Sequence, residues 1–341
     1  MLVVETCPYH LEVASGIVQA LCSHGNRVTI LTTWQHWRFS NRHLRTMMAL
    51  RPVPLLILLP RRVLGSTRFL RFVAHFASHV IFNTSHNCLS GHDFSTLDLP
   101  DSRATDIPPT KFILVRHIAD AQSDRRQAGD AHTGWRSLAL VPNSSGYPWF
   151  FPATPATVDR TSLHRRRLTY PRRVALVGAG GIDLQLLVQE LSGAGAFDVV
   201  LDVYGQFPPE ATDLLARTLE NSFQVRFHGK VSAALLNRQL LSTHFLLGPT
   251  QLHLYGFDKR VSGSRQLSVS YQLPLLISRS LAYEFRLAGG SFVDTESRGL
   301  AAAWLEVSTI DSEAYASMQQ KLQKIHISDW HRQLLVINEA L

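Results

Sequence analysis

The second half of the chain alternates so regularly between two kinds of segment that few folds remain open to it. Residues 174–177 (Val-Ala-Leu-Val) read as a buried strand, followed by the turn Gly178-Ala-Gly180-Gly181 and a helical pattern over 184–191. The succession then repeats: strand 199–203, helix 209–219, strand 225–228, a helix from Ser232 to Leu241, and strand 245–247. Short apolar runs without polar alternation belong to strands covered on both faces. Parallel neighbours need a crossover, usually a helix, between them. Three strand–helix units, a fourth strand and the helix that follows from Ser262 therefore predict a doubly wound parallel sheet.

The first half carries the same signal less cleanly. Residues 2–5 predict a buried strand. Ala14, Ile17, Val18, Leu21 and Cys22 recur at helical spacing, Gly25-Asn26 ends that helix, and 27–32 is the next strand, which makes a βαβ unit. Further strands are expected at 54–59, 79–83, 111–115 and 137–141, and a helix at 70–78. Residues 88–110 and 122–134 are turn-rich or polar and read as surface loops. The aromatics of 147–152 either pack at a domain junction or contact a ligand.

At 341 residues the chain exceeds the usual single core, which points to two domains. Residues 154–171, with two prolines and the run Arg165-Arg166-Arg167, read as the linker. The expected division is 1–153, the linker, 172–325, and a C-terminal helix over 326–341. The tail from Ser312 is helical with a break near Ser328, so that last helix can pack back on the first domain.

Composition excludes several classes. With 45% hydrophobic and 18% charged residues the chain is not disordered. Three cysteines (Cys7, Cys22, Cys88), an odd number with no CxxC, argue against a disulfide framework or zinc site and for a reducing compartment. Sixteen histidines form no spaced metal motif. No leader pattern opens the sequence, and the apolar run 53–59 is far too short to span a bilayer. A cytoplasmic protein, soluble or held on the cytosolic face of a membrane, is expected. The net charge of +8 suits anionic partners, but no nucleic-acid motif accompanies it.

The candidate site lies between His253 and Leu281. A helix opens at Ser262-Gly263-Ser264, with Lys259, Arg260 and Arg265 beside it, ahead of the buried run Pro274-Leu-Leu-Ile277. Unpaired N–H groups, the positive helix end and nearby cations make an anion site for a phosphate or diphosphate; the alternative is an ordinary capped helix. Gly180 and Gly181 allow backbone to approach a ligand. The turn fails the dinucleotide fingerprint, because Asp183 stands where its third glycine should be.

Block by block, VALVGAGGIDLQLLVQEL, VVLDVYG, VRFHGKVS, HFLLGPTQLHLYGF and SGSRQLSVSYQLPLLIS resemble the C-terminal half of GT-B glycosyltransferases, and ETCPYHLEVASG is similar to their acceptor-side loop and first helix. The resemblance implies an α/β fold of two Rossmann-like doubly wound domains facing a cleft. It implies transfer of a sugar from a UDP- or GDP-linked donor to a hydroxyl on a glycan, a lipid-linked acceptor or a small molecule. No metal or cofactor is implied. On this likeness Ser262, Gly263, Ser264, Lys259, Arg260 and Arg265 carry the diphosphate. Tyr255, Asp258, Gly180 and Gly181 line the donor side.

Many retaining members place two glutamates eight positions apart here. This chain has no glutamate between Glu220 and Glu284, and Asp258 and Gln266 stand nearest by position. An inverting transfer needs a base near the acceptor hydroxyl. His10, Glu12 and Glu5 sit at the carboxyl end of the first strand, and His117 follows a strand on the same edge. His10 is either that base or a loop residue, and His117 either touches the donor or is structural. Glu284 is either a ribose contact or simply exposed. A non-catalytic binding protein and a nucleotide-sugar epimerase of the same fold are the competing readings. Residues 34–71, aromatic and basic, either touch a membrane or pack on their own sheet.

Overall fold

Leu2, Val3, Val4 and Glu5 are all buried, as a strand flanked on both sides and covered on both faces must be. The structure, a computed structural model, describes residues 1–5, 11–34, 44–45, 47–64, 67–83, 112–116, 136–144, 146–153, 168–178, 182–191, 198–219, 224–250, 254–255 and 262–341. By their contacts these fall into two units. One runs from Met1 to Thr157 and includes Asp329–Leu341; the other holds Val158–Gly256 and Ser262–Ser328.

The first unit contains β1 (Leu2–Glu5), β2 (Thr29–Thr33), β3 (Leu55–Leu59), β4 (Val80–Phe82), β5 (Phe112–Arg116) and β6 (Arg136–Ala139), with α1 (Leu11–Ser23), α2 (Arg61–Leu64) and α3 (Thr67–Phe76). Its sheet is parallel, in the order β3-β2-β1-β4-β5-β6, with Val3 paired to both Ile30 and Ile81. Period-two alternation sends Val3, Ile30, Ile81 and Ile113 to the α1 face. Leu2, Val4, Leu31 and Phe82 go to the opposite face, where α2 and α3 bring Leu64, Phe69, Val73 and Ala74.

The second unit contains β7 (Arg172–Val177), β8 (Val199–Tyr204), β9 (Gln224–Gly229), β10 (Phe245–Leu247), β11 (Leu275–Ile277) and β12 (Phe292–Asp294). Its helices are α4 (Leu184–Leu191), α5 (Pro209–Leu219), α6 (Ala233–Leu241), α7 (Gly263–Tyr271), α8 (Arg279–Glu284), α9 (Gly299–Thr309) and α10 (Ser312–Ala340). The parallel order β12-β11-β10-β7-β8-β9, counted from the unit's own first strand, is again 3-2-1-4-5-6. Both sheets therefore reverse their order of strand addition between their first and fourth strands. Val174, Leu176 and Leu201 face α4, α5 and α9, while Ala175, Tyr204 and Leu246 face α6, α7 and α8.

Two expectations change. The tail does not break near Ser328, because α10 runs unbroken from Ser312 to Ala340. The segment has neither proline nor glycine, and an isolated serine costs a helix too little to end it. Its last turns lie in the first unit, where Arg332 Nε donates to the Trp149 carbonyl at 3.0 Å and the Ala153 N–H donates to Gln333 Oε1 at 2.8 Å. Residues 279–309 add α8, β12 and α9, and β12 completes the sixth strand. The 147–152 aromatics serve packing: Phe150 and Phe151 are buried within the first unit.

Candidate functional site

Each of β7, β8, β9 and β10 finishes at a glycine: Gly178, Gly205, Gly229 and Gly248. At two of these positions a side chain is excluded outright. Gly205 holds φ at +133°, and a Cβ there would lie 3.3 Å from the Gly178 Cα. A Cβ on Gly248 would lie 2.9 Å from the Leu276 carbonyl oxygen and 3.1 Å from the Ile277 Cβ. The carboxyl edge of this sheet is thus a rim of bare backbone around the point where strand order reverses. Open α/β sheets bind ligands there. The Asp183 N–H donates to Thr250 Oγ1 at 2.6 Å, which ties the segment after β7 to the segment after β10.

The helix starts around this rim differ in charge. Asp183 Oδ1 accepts the N–H groups of Gln185 and Leu186, so α4 already holds a carboxylate at its positive end. At α8 the Ser280 N–H donates to Glu296 Oε2 at 2.8 Å. Beside it, burial pushes the Asp294 carboxyl up, but bonds from the Ser297 hydroxyl and the Glu296 N–H, with Arg279 nearby, hold it below the usual carboxylate range. The start of α7 instead has a neutral cap. Ser262 is buried and its Oγ accepts the Ser264 N–H at 3.2 Å. Gly263 is exposed, and among the described residues a Cβ on it would meet nothing within 4 Å.

Arg265, expected beside the helix start, is fully buried, with Nε donating to the Phe285 carbonyl at 3.1 Å. Arg265, Ser268 and Val269 lie at i, i+3 and i+4, on the inward side of α7, and the buried Gln272 caps its end in left-handed conformation. Gln266 is buried as well, Tyr255 packs half-buried against the same core, and Glu284 is exposed. His10, His117, Asp258, Lys259, Arg260, Gly180 and Gly181 lie outside the described residues, as does the side chain of Glu12, whose backbone belongs to α1.

Sequence reasoning missed a polar network under α6. The Asp202 carboxylate, wholly buried in β8, accepts from Arg173 Nε at 2.9 Å through Oδ2 and meets His228 Nε2 at 2.7 Å through Oδ1. The His228 ring stacks on Tyr204 at 4.5 Å and 9°. Burial, aided by the Asp202 charge, pushes the Tyr204 phenol up to about 12, against opposing pulls from Arg173 and Arg226. The available signal was positional: β7, β8 and β9 are consecutive parallel strands, so polar residues on one face must meet.

In the first unit the carboxyl edge is polar and buried. Glu5, Thr32, Thr33 and Asn83 are at most 2% exposed, at the ends of β1, β2 and β4. Asn83 Nδ2 donates to Glu5 Oε2 at 2.5 Å, and Thr32 Oγ1 donates to the Glu5 carbonyl at 2.9 Å. β1 and β4 flank this sheet's own reversal point, so a fixed carboxylate stands where its crevice begins.

Two parallel sheets of identical 3-2-1-4-5-6 order, each with a polar or bare carboxyl edge, define the GT-B fold. No family model matches the sequence, and no curated protein resembles it in sequence. Solved structures match along nearly the whole chain. Anabaena HepE, solved with UDP and glucose, is 11% identical with a TM-score of 0.59, over 99% of this chain and 96% of that one. AviGT4, a glycosyltransferase involved in avilamycin A biosynthesis, is 13% identical with a TM-score of 0.59, over 99% and 97%. Staphylococcus aureus MnaA, solved with UDP, is 12% identical with a TM-score of 0.51, over 94% and 90%.

Proposed function

We propose that this chain is a glycosyltransferase that moves a sugar from a nucleoside diphosphate donor, UDP-linked in the first instance, to a hydroxyl of a glycan or lipid-linked acceptor. The observation that carries the reading is the start of α7, which opens beside the reversal point of the second sheet with a neutral cap and, among the described residues, no atom within 4 Å of a Cβ on Gly263. A diphosphate is the ligand such a start suits, because the N–H groups and the helix dipole both favour negative charge. Lys259 and Arg260 precede it directly in sequence and would add cations.

Glycosyl transfer needs the leaving diphosphate stabilised as its charge develops, and preorganised N–H groups with cations supply that without a metal. The base for the acceptor hydroxyl is assigned to the segment after β1, with His10 first and Glu12 second; His117 is assigned to the donor. UDP in two of the fold neighbours supports uridine as the base to test first. A second reading, nucleotide binding without turnover, is favoured by the missing glutamates, since the only candidate on α7, Gln266, is buried.

Thermal shift against UDP, GDP, ADP and CMP, followed by mass spectrometry of UDP-sugars incubated with the protein, separates the readings. A raised melting temperature with UDP and slow release of free sugar support the transferase. A shift with intact UDP-sugar on long incubation selects the binding protein. The absence of a shift with every nucleotide removes both.

A further inference from the structure

The excess charge of this protein is concentrated in one stretch of its sequence. Of 34 basic and 26 acidic residues, nine arginines and no carboxylate fall between Val13 and His92. That leaves 25 basic and 26 acidic residues for the rest of the chain, so the whole excess of +8 comes from this stretch of the first unit.

The stretch also exposes hydrophobic side chains. Helix α3 buries Ala74 and packs Phe69 and Val73 on its sheet, as an amphipathic helix should. Its other stripe, at i, i+4, i+7 and i+8, carries Arg68, Phe72, His75 and Phe76, all exposed. Phe72 is 64% and Phe76 76% exposed, and their rings pack edge to face at 5.3 Å, one upon the other. On the neighbouring edge strand β3, Leu55 is 59% exposed. From Arg45 to Phe76 every described residue that is exposed is an arginine, a histidine or apolar.

We propose that this face of the first unit docks on an anionic lipid bilayer, with Phe72 and Phe76 entering the acyl boundary and Arg62 and Arg68 on the headgroup phosphates. Interfacial helices combine these two parts: aromatic or aliphatic side chains to insert, and arginines with no carboxylate to oppose an anionic surface. Among the described residues no helix is long and apolar enough to cross a membrane. An acidic protein partner would meet the charge but leaves the protruding phenylalanines unexplained. The proposal does not depend on the glycosyltransferase reading.

The test is flotation of the full chain with vesicles of phosphatidylcholine alone and of equimolar phosphatidylcholine and phosphatidylglycerol. The protein floats with the anionic vesicles only, and raised salt weakens the association. Phe72→Ser with Phe76→Ser lowers the bound fraction at least about tenfold. Arg62→Gln with Arg68→Gln lowers it several-fold. All four residues are exposed, so the variants keep the wild-type melting temperature, which is measured alongside. Equal flotation of the phenylalanine variant and the wild type overturns the proposal, as does no flotation with anionic vesicles. A lipid-free dimer that the phenylalanine variant abolishes, seen by light scattering, assigns the face to a second copy and overturns it too.

Discussion

Asp202 and His228 are joined across β8 and β9 by a 2.7 Å bond from Nε2 to Oδ1, and the other oxygen of the same carboxylate is held by Arg173. The carboxylate is fully buried while the histidine side chain keeps 28% of its surface. Removal of the two residues therefore has unequal consequences. Asp202→Ala leaves the Arg173 charge without its buried partner and lowers stability by about 3 kcal/mol. His228→Ala leaves Arg173 paired and costs about 1 kcal/mol. Urea midpoints of the two variants give the ranking, and equal losses would show that the network is not organised around the carboxylate.

The same network sets an alkaline limit. The Tyr204 phenol is raised from its ordinary 10 to about 12 in the folded protein. As pH passes 10 the unfolded chain ionises at this position while the folded chain keeps its proton. The contribution is therefore complete below pH 10 and is lost as pH rises toward about 12. Urea unfolding at about pH 9 and about pH 11 should show a larger loss for wild type than for Tyr204→Phe. Parallel losses in the two proteins would count against the assignment.

We propose that Arg265, buried and bonded to the Phe285 carbonyl, supports the α7 core rather than the ligand. Its replacement by alanine opens a cavity in the α7 core and leaves the Phe285 carbonyl short of a donor, at a cost of about 3 kcal/mol. Lysine does not rescue it, because an ammonium cannot reproduce the planar guanidinium. Variants that stay folded keep wild-type UDP affinity, measured by calorimetry. A selective loss of UDP binding with unchanged stability would return Arg265 to the anion site.

Ser262 and Gly263 separate the cap from the ligand site. Ser262→Ala removes the α7 cap and costs about 1 kcal/mol of stability. Combined with Arg260→Ala it abolishes UDP binding. Gly263→Ala places a methyl that meets nothing within 4 Å among the described residues and leaves stability within about 0.5 kcal/mol of wild type, yet it obstructs a diphosphate over the helix start. Normal UDP affinity in Gly263→Ala would move the site away from α7.

Most of the second unit's strands were legible because buried parallel strands must be apolar throughout, as Val174, Leu201 and Leu246 are. The inward side of α7 was not, because Arg265 and Ser268, two of its three residues at i, i+3 and i+4, are polar and disguise the core spacing. β12 was missed because only two of its three residues, Phe292 and Val293, are apolar, where β10 and β11 are apolar throughout. Position in the chain also hid the Asp202 network, whose members lie 26 and 29 residues apart.

The sequence by itself determined the repeating strand–helix plan, the cap at Ser262 and the glycine strand ends, because periodicity and backbone conformation are local properties. Tertiary structure alone decided that Arg265 faces inward, that Asp202 gathers Arg173 and His228, and that α10 continues past Ser328. Each of these depends on which distant surface a residue is pressed against, and burial is settled only when the two sheets have been assembled.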